Sequence, residues 1–433
     1  MSQGDAKTAY PAIAGNAAPP PAASERRSGW LLVWALAIAQ LVSWGSIYYA
    51  FPLFVVPMET DFGWSRTAIN GALSFGLLMS GLFAYPVGAW IDRHGGRLVM
   101  SLGSALGAAL LAAWSRIDSI AVLYAIWFGL GLAMAASLYE PVFAVVTRSF
   151  PRSYRTRITA LTLIGGFAST VFIPATQLLI GWYGWRDALV ALAVCVAAFC
   201  LPVHALLLRD GDSGGAADAT GAAHDARPIA GDALRRALRH PVFWALALCF
   251  TAYYAAFSAM TFHIIPLLTE RGIPTVTIIA AIAVIGPAQV AGRIVLLAFG
   301  PHLPTAAVGR AVMLALVASF LVLIVFPAST AALFVFAAIY GAANGLMTII
   351  RGMAVPDLMW REGYGAINGA LTVPSNVAKA VAPFGAALLW DAAGNYDAVL
   401  WWLTAGASIA AFAFWYAAAA AGRHPVHVHD ASA

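Results

Sequence analysis

Long apolar stretches recur along this sequence, and they restrict what it can fold into. Each holds about 20 predominantly apolar residues, the length at which an α-helix crosses the hydrocarbon core of a bilayer. Backbone polar groups in a bilayer must be hydrogen-bonded within the protein, and the alternating pattern of barrel strands does not occur here. We therefore predict an all-α membrane protein with twelve transmembrane helices. The stretches lie near residues 31–57, 67–90, 98–114, 120–146, 157–182, 187–208, 242–267, 276–299, 308–327, 330–350, 364–390 and 396–421.

The charge content of the chain excludes an ordinary soluble enzyme. Only 10% of the 433 residues are charged, whereas soluble domains contain about 25%. Of the 24 Lys and Arg residues, 18 fall in loops that are cytoplasmic if the N-terminus is cytoplasmic. The positive-inside rule then predicts a multi-pass protein of the inner (plasma) membrane with both termini in the cytoplasm. The net charge of +5 reflects this topology, and we expect no nucleic-acid partner.

A polar segment divides the chain into two halves. Six apolar stretches precede it and six follow it, which is typical of membrane proteins built from two related bundles. We predict a disordered cytoplasmic N-terminal tail, two six-helix bundles joined by a cytoplasmic linker, and a cytoplasmic C-terminal tail. In chain order these five parts are residues 1–29, 30–209 (first bundle), 210–241 (linker), 242–421 (second bundle) and 422–433.

A short charged turn lies between the second and third apolar stretches. It reads Gly88-Ala89-Trp90-Ile91-Asp92-Arg93-His94-Gly95-Gly96-Arg97. This resembles the loop signature Gly-x-Leu-Ala-Asp-Arg-x-Gly-Arg of the major facilitator superfamily, with Trp90 in place of leucine and Gly96 in place of a basic residue. The resemblance, which covers about residues 30–420, implies two six-helix bundles that rock around a central site and carry a substrate by alternating access.

The same resemblance implies a gating role for the turn, whose motif residues include Gly95. Gly88 would let the second helix pack closely against a neighbour. Asp92 would lie near the positive, N-terminal end of the eleventh helix. Arg93 and Arg97 would bind lipid headgroups or loop groups at the cytoplasmic surface.

Three shorter stretches are similar to bacterial monocarboxylate porters and oxalate–formate antiporters. They are Asp61-Phe62-Gly63-Trp64-Ser65-Arg66, Gly292-Arg293 and Ala378-Lys379-Ala380. In that group an arginine on the eighth helix contacts the substrate carboxylate, and oxalate-type carriers have a lysine on the eleventh. The resemblance therefore implies a mono- or dicarboxylate as substrate, with H⁺ or a counter-anion as coupling partner.

The sequence departs from this group at two places. Gln289 stands where monocarboxylate porters have an aspartate, one turn before the arginine. The second-half counterpart of the charged turn, Phe299-Gly300-Pro301-His302-Leu303-Pro304, contains no acidic residue.

Ionisable residues inside apolar stretches need an explanation, since a central Arg or Lys costs about 2.5–3.5 kcal/mol. We place Arg293, Lys379 and Glu140 there, which leaves one excess positive charge. We expect both cations to bind an anionic substrate. The alternative for Arg293 is snorkelling to the cytoplasmic surface. Glu140 is a candidate proton-coupling group, and a pairing with Arg148 is its alternative.

Polar residues near these charges are further candidates. Gln289 lies one turn before Arg293, and Asn376 is spaced to share a helical face with Lys379. Histidine titrates near neutral pH, so His263 is a second proton-coupling candidate, with a satisfied interfacial histidine as the alternative. The superfamily resemblance implies that helices one, seven and ten line the cavity, which adds the substrate-binding candidates Tyr48, Tyr253 and Asn344.

The sequence contains no nucleotide-binding fingerprint and no catalytic constellation, so we expect neither an enzyme nor a cofactor. His424, His427 and His429 have metal-like spacing but no further ligand nearby, and we interpret them as a solvated tail and predict no metal site. We expect a monomer. A proton-driven efflux pump for hydrophobic or drug-like compounds is the alternative function, although Gly129-Leu130-Gly131-Leu132-Ala133 lacks the arginine-glycine signature of such pumps on helix four.

Overall fold

The computed structural model describes residues 23–208, 230–299 and 303–423. Within these ranges every regular element is a helix. Most of the predicted N-terminal tail and linker, the centre of the second-half turn and the three C-terminal histidines lie outside the described residues.

Twelve long helices, α1 to α12, follow one another along the described chain. The first half contains α1 (23–62), α2 (Arg66–His94), α3 (Arg97–Trp114), α4 (Ile120–Ser149), α5 (154–183) and α6 (185–207). The second half contains α7 (Pro241–Glu270), α8 (Thr275–Phe299), α9 (Thr305–Val325), α10 (Thr330–Leu358), α11 (Tyr364–Ala393) and α12 (Tyr396–Arg423). A short linker helix, Ala230–Leu238, precedes α7.

Ten stretches of the described chain are helical, long enough and apolar enough to cross a membrane. One of them, Tyr154–Leu207, is 54 residues long and turns at Gly184, whose φ of 82° is non-helical. This glycine divides it into α5 and α6. The remaining helix is α11, whose 30 residues include buried polar side chains such as Asn368, Thr372 and Asn376. The fold is therefore the predicted all-α membrane architecture.

The end of α10 differs from the sequence-based boundary. The apolar stretch was predicted to end at residue 350, but the helix continues to Leu358. Arg351 was consequently assigned to a cytoplasmic loop, and this assignment is wrong because its side chain lies inside the bundle and is 3% exposed. The apolar run Gly352-Met353-Ala354-Val355 after the arginine is the signal that the helix continues.

The two halves meet along a narrow seam between α2 and α11. Gly88 on α2 contacts the backbone of α11 so closely that a Cβ would lie 2.0 Å from the carbonyl oxygen of Gly365. One helical turn away along each helix, a Cβ on Gly369 would lie 2.4 Å from the carbonyl oxygen of Ala84. Small residues therefore permit backbone contact here, as in other membrane-helix interfaces. We call the end of the bundle that carries residues 88–97 the motif end.

Replacing Gly88 by alanine should force α2 and α11 apart at the motif end. Neither backbone can move aside cheaply, and overpacking of this kind costs about 1–3 kcal/mol. We expect a lower Tm for Gly88→Ala than for the wild type when thermal unfolding is followed in detergent. Gly181→Ala is the matched control, since a Cβ at that position meets no atom within 4 Å. Equal Tm values for the two variants would contradict the close contact.

Candidate substrate site and gate

Arg293 lies in the middle of the bundle, where α5, α8 and α10 meet. Its side chain is buried, and its Nε donates to the carbonyl oxygen of Gly345 on α10 at 3.1 Å. Its Nη1 has no hydrogen-bond partner among the described residues. The guanidinium lies directly against Gly166 of α5, where a Cβ would come within 1.5 Å of Nη1. An arginine of the second half thus reaches the first half with one donor that has no partner among the described residues.

Lys379 lies near the middle of α11, where its carbonyl oxygen accepts from the hydroxyl of Ser258 on α7 at 2.7 Å. Its ammonium lies 4.0 Å from the ring centroid of Tyr254 on α7. Glu140 lies in the first turn of the second part of α4, a segment of the first half that contacts α11.

Arg351 is a buried cation that the sequence analysis missed. Its Nη2 donates to the hydroxyl of Thr372 on α11 at 2.6 Å, and its guanidinium lies 4.5 Å from the ring centroid of Phe250. Its Nε and Nη1 have no hydrogen-bond partner among the described residues. The centre of the bundle therefore holds three cations and Glu140, where the sequence analysis placed two cations.

Tyr253 and Asn344, both candidates from the sequence, lie together beside these charges. The Tyr253 hydroxyl donates to Oδ1 of Asn344 at 2.6 Å, which joins α7 to α10. Asn344 directly precedes Gly345, the residue that accepts from Arg293. Gln289 lines a cavity on the far side of Arg293 from the motif end.

Asn376 does not join this group. Its Nδ2 donates to the carbonyl oxygen of Leu77 on α2 at 3.2 Å, so its side chain faces the α2–α11 seam. Tyr48 lies in an aromatic cluster of the first half, with its ring 5.4 Å from that of Trp44 and 5.2 Å from that of Tyr49.

His263 lies away from the central charges, towards the end opposite the motif end. Its two ring nitrogens lie 3.1 Å from the Tyr396 hydroxyl and 2.9 Å from the carbonyl oxygen of Pro383. The imidazole therefore joins α7 to α11 and α12. This is the geometry of a satisfied structural histidine.

A cavity of about 880 Å³ opens between the halves beyond the central charges. It is bounded by α5 from the first half and by α7, α8 and α10 from the second. Phe167, the neighbour of Gly166, lies at its inner end together with Val290 and Ile294, which flank Arg293 on α8. Arg293 itself does not line the cavity, but its neighbours on α8 and the neighbour of Gly166 on α5 do, so the cavity lies next to the guanidinium and extends away from the motif end.

The motif end is closed by Asp92. Its two carboxylate oxygens accept from the backbone N–H groups of Gly365 and Ala366 at 2.9 and 2.8 Å. These N–H groups begin α11, so the carboxylate lies at the positive end of that helix, where an anion is stabilised. Nη1 of Arg148 donates to the carbonyl oxygens of Ile91 and Asp92 at 2.6 and 2.9 Å. The first half is therefore fastened to the start of α11 through its charged turn.

The other motif residues shape and anchor the turn. Gly95 has a φ of 89°, in the left-handed region that favours glycine, and allows α3 to start directly after α2. Arg97 donates from Nε to the carbonyl oxygen of Ala205 at the end of α6 at 2.8 Å. Arg93 is exposed.

A second fastening at the motif end lies on the opposite side of the bundle. Asp357, near the end of α10, forms an ion pair with Arg155 at 3.0 Å and accepts from the hydroxyls of Tyr154 and Thr305. Its carboxylate is only 4% exposed. Asp357 therefore holds the first turn of α5, as Asp92 holds the first turn of α11. Through Thr305 it also places a carboxylate beside the second-half turn, which contains no acidic residue of its own.

The family of the chain follows from comparison with known proteins. The Major Facilitator Superfamily model matches residues 36–383, which is most of the sequence. This protein belongs to the major facilitator superfamily. It is accordingly a multi-pass membrane transporter that carries a small-molecule substrate, and it is not an enzyme.

Individual relatives are distant. The chain is 26% identical to monocarboxylate transporter 13 of Bos taurus over 383 residues, covering 86% of this chain and 84% of that protein. Its fold is similar to that of FucP, a major facilitator transporter, in the outward conformation, with a TM-score of 0.69 and 17% identity over 92% and 99% of the two chains. It is also similar to the human organic anion transporter MFSD10, with a TM-score of 0.63 and 18% identity over 92% and 100%.

Removing the charge of Asp357 should loosen the motif end. A charged hydrogen-bonded partner contributes about 1.5–3 kcal/mol, so Asp357→Asn should raise the population of the open motif end about tenfold or more. The probe is maleimide labelling of Ile158→Cys in a background without native cysteines. Ile158 on α5 is fully buried and packs against Gly352 on α10, where these two helices join the halves.

The matched control for this labelling experiment is Asp391→Asn. Asp391 is an exposed carboxylate near the end of α11 that lies opposite the motif end. An unchanged labelling rate in Asp357→Asn would show that this ion pair does not hold the motif end closed.

Proposed function

We propose that this protein is a secondary active transporter that moves a small organic anion, a mono- or dicarboxylate, across the plasma membrane by alternating access. The observation that carries the proposal is the unpaired Nη1 donor of Arg293, buried where the two halves touch. Such a donor costs free energy until an acceptor reaches it. A carboxylate supplies that acceptor and also neutralises the guanidinium.

The surrounding charges support an anion. Three cations of the second half, Arg293, Arg351 and Lys379, lie on α8, α10 and α11, and Glu140 lies on α4 of the first half. An anionic substrate would offset part of the remaining positive charge, which an uncharged or cationic substrate would not do. The similarity to a monocarboxylate transporter at 26% identity favours the same substrate class.

The proposal also assigns the motions. Residues 30–209 and 242–421 would rock as two units, joined by the linker 210–241, with the motif end and both termini in the cytoplasm. The hydrogen bonds of Asp92 to the start of α11 and the ion pair of Asp357 with Arg155 would hold the cytoplasmic side closed while substrate enters from the opposite side. Proton coupling or anion exchange would return the carrier, and one chain is sufficient for this cycle.

Arg293→Ala should abolish uptake of the transported carboxylate by proteoliposomes. Losing one partner of a buried charged contact weakens binding by about 2–5 kcal/mol, so we expect affinity to fall about 30-fold or more. Binding itself is measured as a rise in Tm, since a ligand at a hundred times its Kd stabilises the folded state by about 2.7 kcal/mol. Lys379→Ala should lose the same stabilisation.

Arg116→Ala is the control, because Arg116 is an exposed arginine outside the predicted site. Carboxylate stabilisation that persists in Arg293→Ala would refute the site. Stabilisation by lipophilic cations alone would instead support a proton-driven efflux pump.

Glu140→Gln should separate proton coupling from substrate binding. The amide keeps the shape of the side chain but cannot carry a proton. If Glu140 couples the cycle, the variant will fail to accumulate substrate under a pH gradient and will still exchange internal for external substrate. His263→Gln should keep proton-driven accumulation, because His263 has structural partners on both ring nitrogens. Gradient-driven accumulation by Glu140→Gln would remove this residue from the coupling mechanism.

A further inference from the structure

The cavity beside Arg293 is largely apolar, and this limits what the substrate can be. Among the 19 residues that line it, none carries a charge. Its polar lining groups are Ser169, Thr170, Thr261, Gln289 and Tyr340. A volume of about 880 Å³ lies in the range of sites for drug-sized ligands. A two- or three-carbon acid would leave most of it unfilled.

On α5 and α7, residues that contact a buried cation are followed closely by residues that line the cavity, and we call the former, with the cations, the charged layer. On α5, Gly166 contacts the guanidinium and Phe167 lines the cavity. On α7, Tyr254 contacts the ammonium of Lys379, and Phe257 lines the cavity one turn further on. On these two helices the surroundings therefore change from charged to apolar within about one turn.

Aromatic rings form one wall of the cavity. The rings of Phe257 and Tyr340 lie 6.4 Å apart and nearly parallel, and Phe257 also stacks on Tyr253 at 6.1 Å. Tyr253 is the residue that binds Asn344 in the charged layer. The wall thus runs from the charged layer into the cavity, and it offers flat apolar surface to an alkyl chain or an aromatic ring.

We infer that the transported anion is amphipathic: a monocarboxylate whose alkyl or aryl body fills this cavity while its single carboxylate reaches Arg293. The inference rests on the proposed function and narrows it. A second carboxylate at the far end of the ligand would be taken from water into an uncharged, mostly apolar cavity with no cation to meet it. Dicarboxylates, which the sequence analysis left open, are therefore disfavoured.

The test is an affinity series on the purified full-length protein. The ligands are unbranched monocarboxylates from acetate to octanoate, phenylacetate, and adipate as the dicarboxylate matched to hexanoate in carbon number. Each buried methylene should tighten binding about fourfold until the cavity is filled. Hexanoate should bind at least about tenfold more tightly than adipate. Arg293→Ala, measured in parallel, subtracts partitioning of the alkyl chains into detergent.

A variant that fills the cavity tests where the chain lies. Ala283 on α8 lines the cavity, and Ala283→Leu should weaken octanoate binding about tenfold or more while leaving acetate unaffected. Ala298→Leu is the control, since Ala298 is exposed on the same helix and does not line the cavity.

The outcomes separate the two claims. Affinity that is independent of chain length, or adipate binding as tight as hexanoate binding, would overturn the amphipathic substrate and leave the carboxylate transporter standing, provided that Arg293→Ala abolishes binding. If no carboxylate in the series binds in an Arg293-dependent way, the proposed function fails and this inference fails with it. Equal losses of octanoate affinity in Ala283→Leu and Ala298→Leu would also overturn the placement of the chain.

Discussion

Burying positive charge in the apolar middle of a helical bundle is the constraint on which the rest of this structure depends. Arg351 meets that constraint in part within its own half, through Thr372 and the ring of Phe250, and its Nε and Nη1 have no partner among the described residues. Arg293 also leaves one donor, Nη1, unpaired, but this donor lies against the glycine of the other half. The two arginines therefore differ in position, because Arg351 joins α10 to α11 within one half and Arg293 lies between the halves.

The closed motif end depends on carboxylates placed at helix starts. Asp92 binds the first N–H groups of α11, and Asp357 binds the first turn of α5. The two acids come from different places in the sequence, because Asp92 lies in the turn after α2 and Asp357 lies near the end of α10. Their contacts are similar, since each carboxylate binds one half of the protein to the other.

Glycine makes these contacts possible at two levels. At the seam, Gly88 lets α2 touch the backbone of α11, which brings Asp92 within reach of the helix start. At the centre, Gly166 leaves the space that the guanidinium of Arg293 occupies. Beyond that layer the lining changes at once to apolar and aromatic groups. The buried guanidinium of Arg293 and the apolar cavity are therefore held side by side by α5, α8 and α10.

The sequence by itself determined the all-α membrane fold, because the length of an apolar stretch shows whether a helix can cross the hydrocarbon core. It also predicted two six-helix halves and a substrate site at Arg293 and Lys379, because buried charge is costly in a bilayer, and these stay predictions. It ended the apolar stretch of α10 before Arg351, although the apolar run after this arginine indicates that the helix continues. It grouped Asn376 with Lys379 by spacing, and only the tertiary structure turned that side chain towards Leu77. The contacts of Asp357 and the apolar cavity also had no sequence signal. Both are formed by helices that lie far apart in the sequence, and only the packing of these helices brings their side chains together.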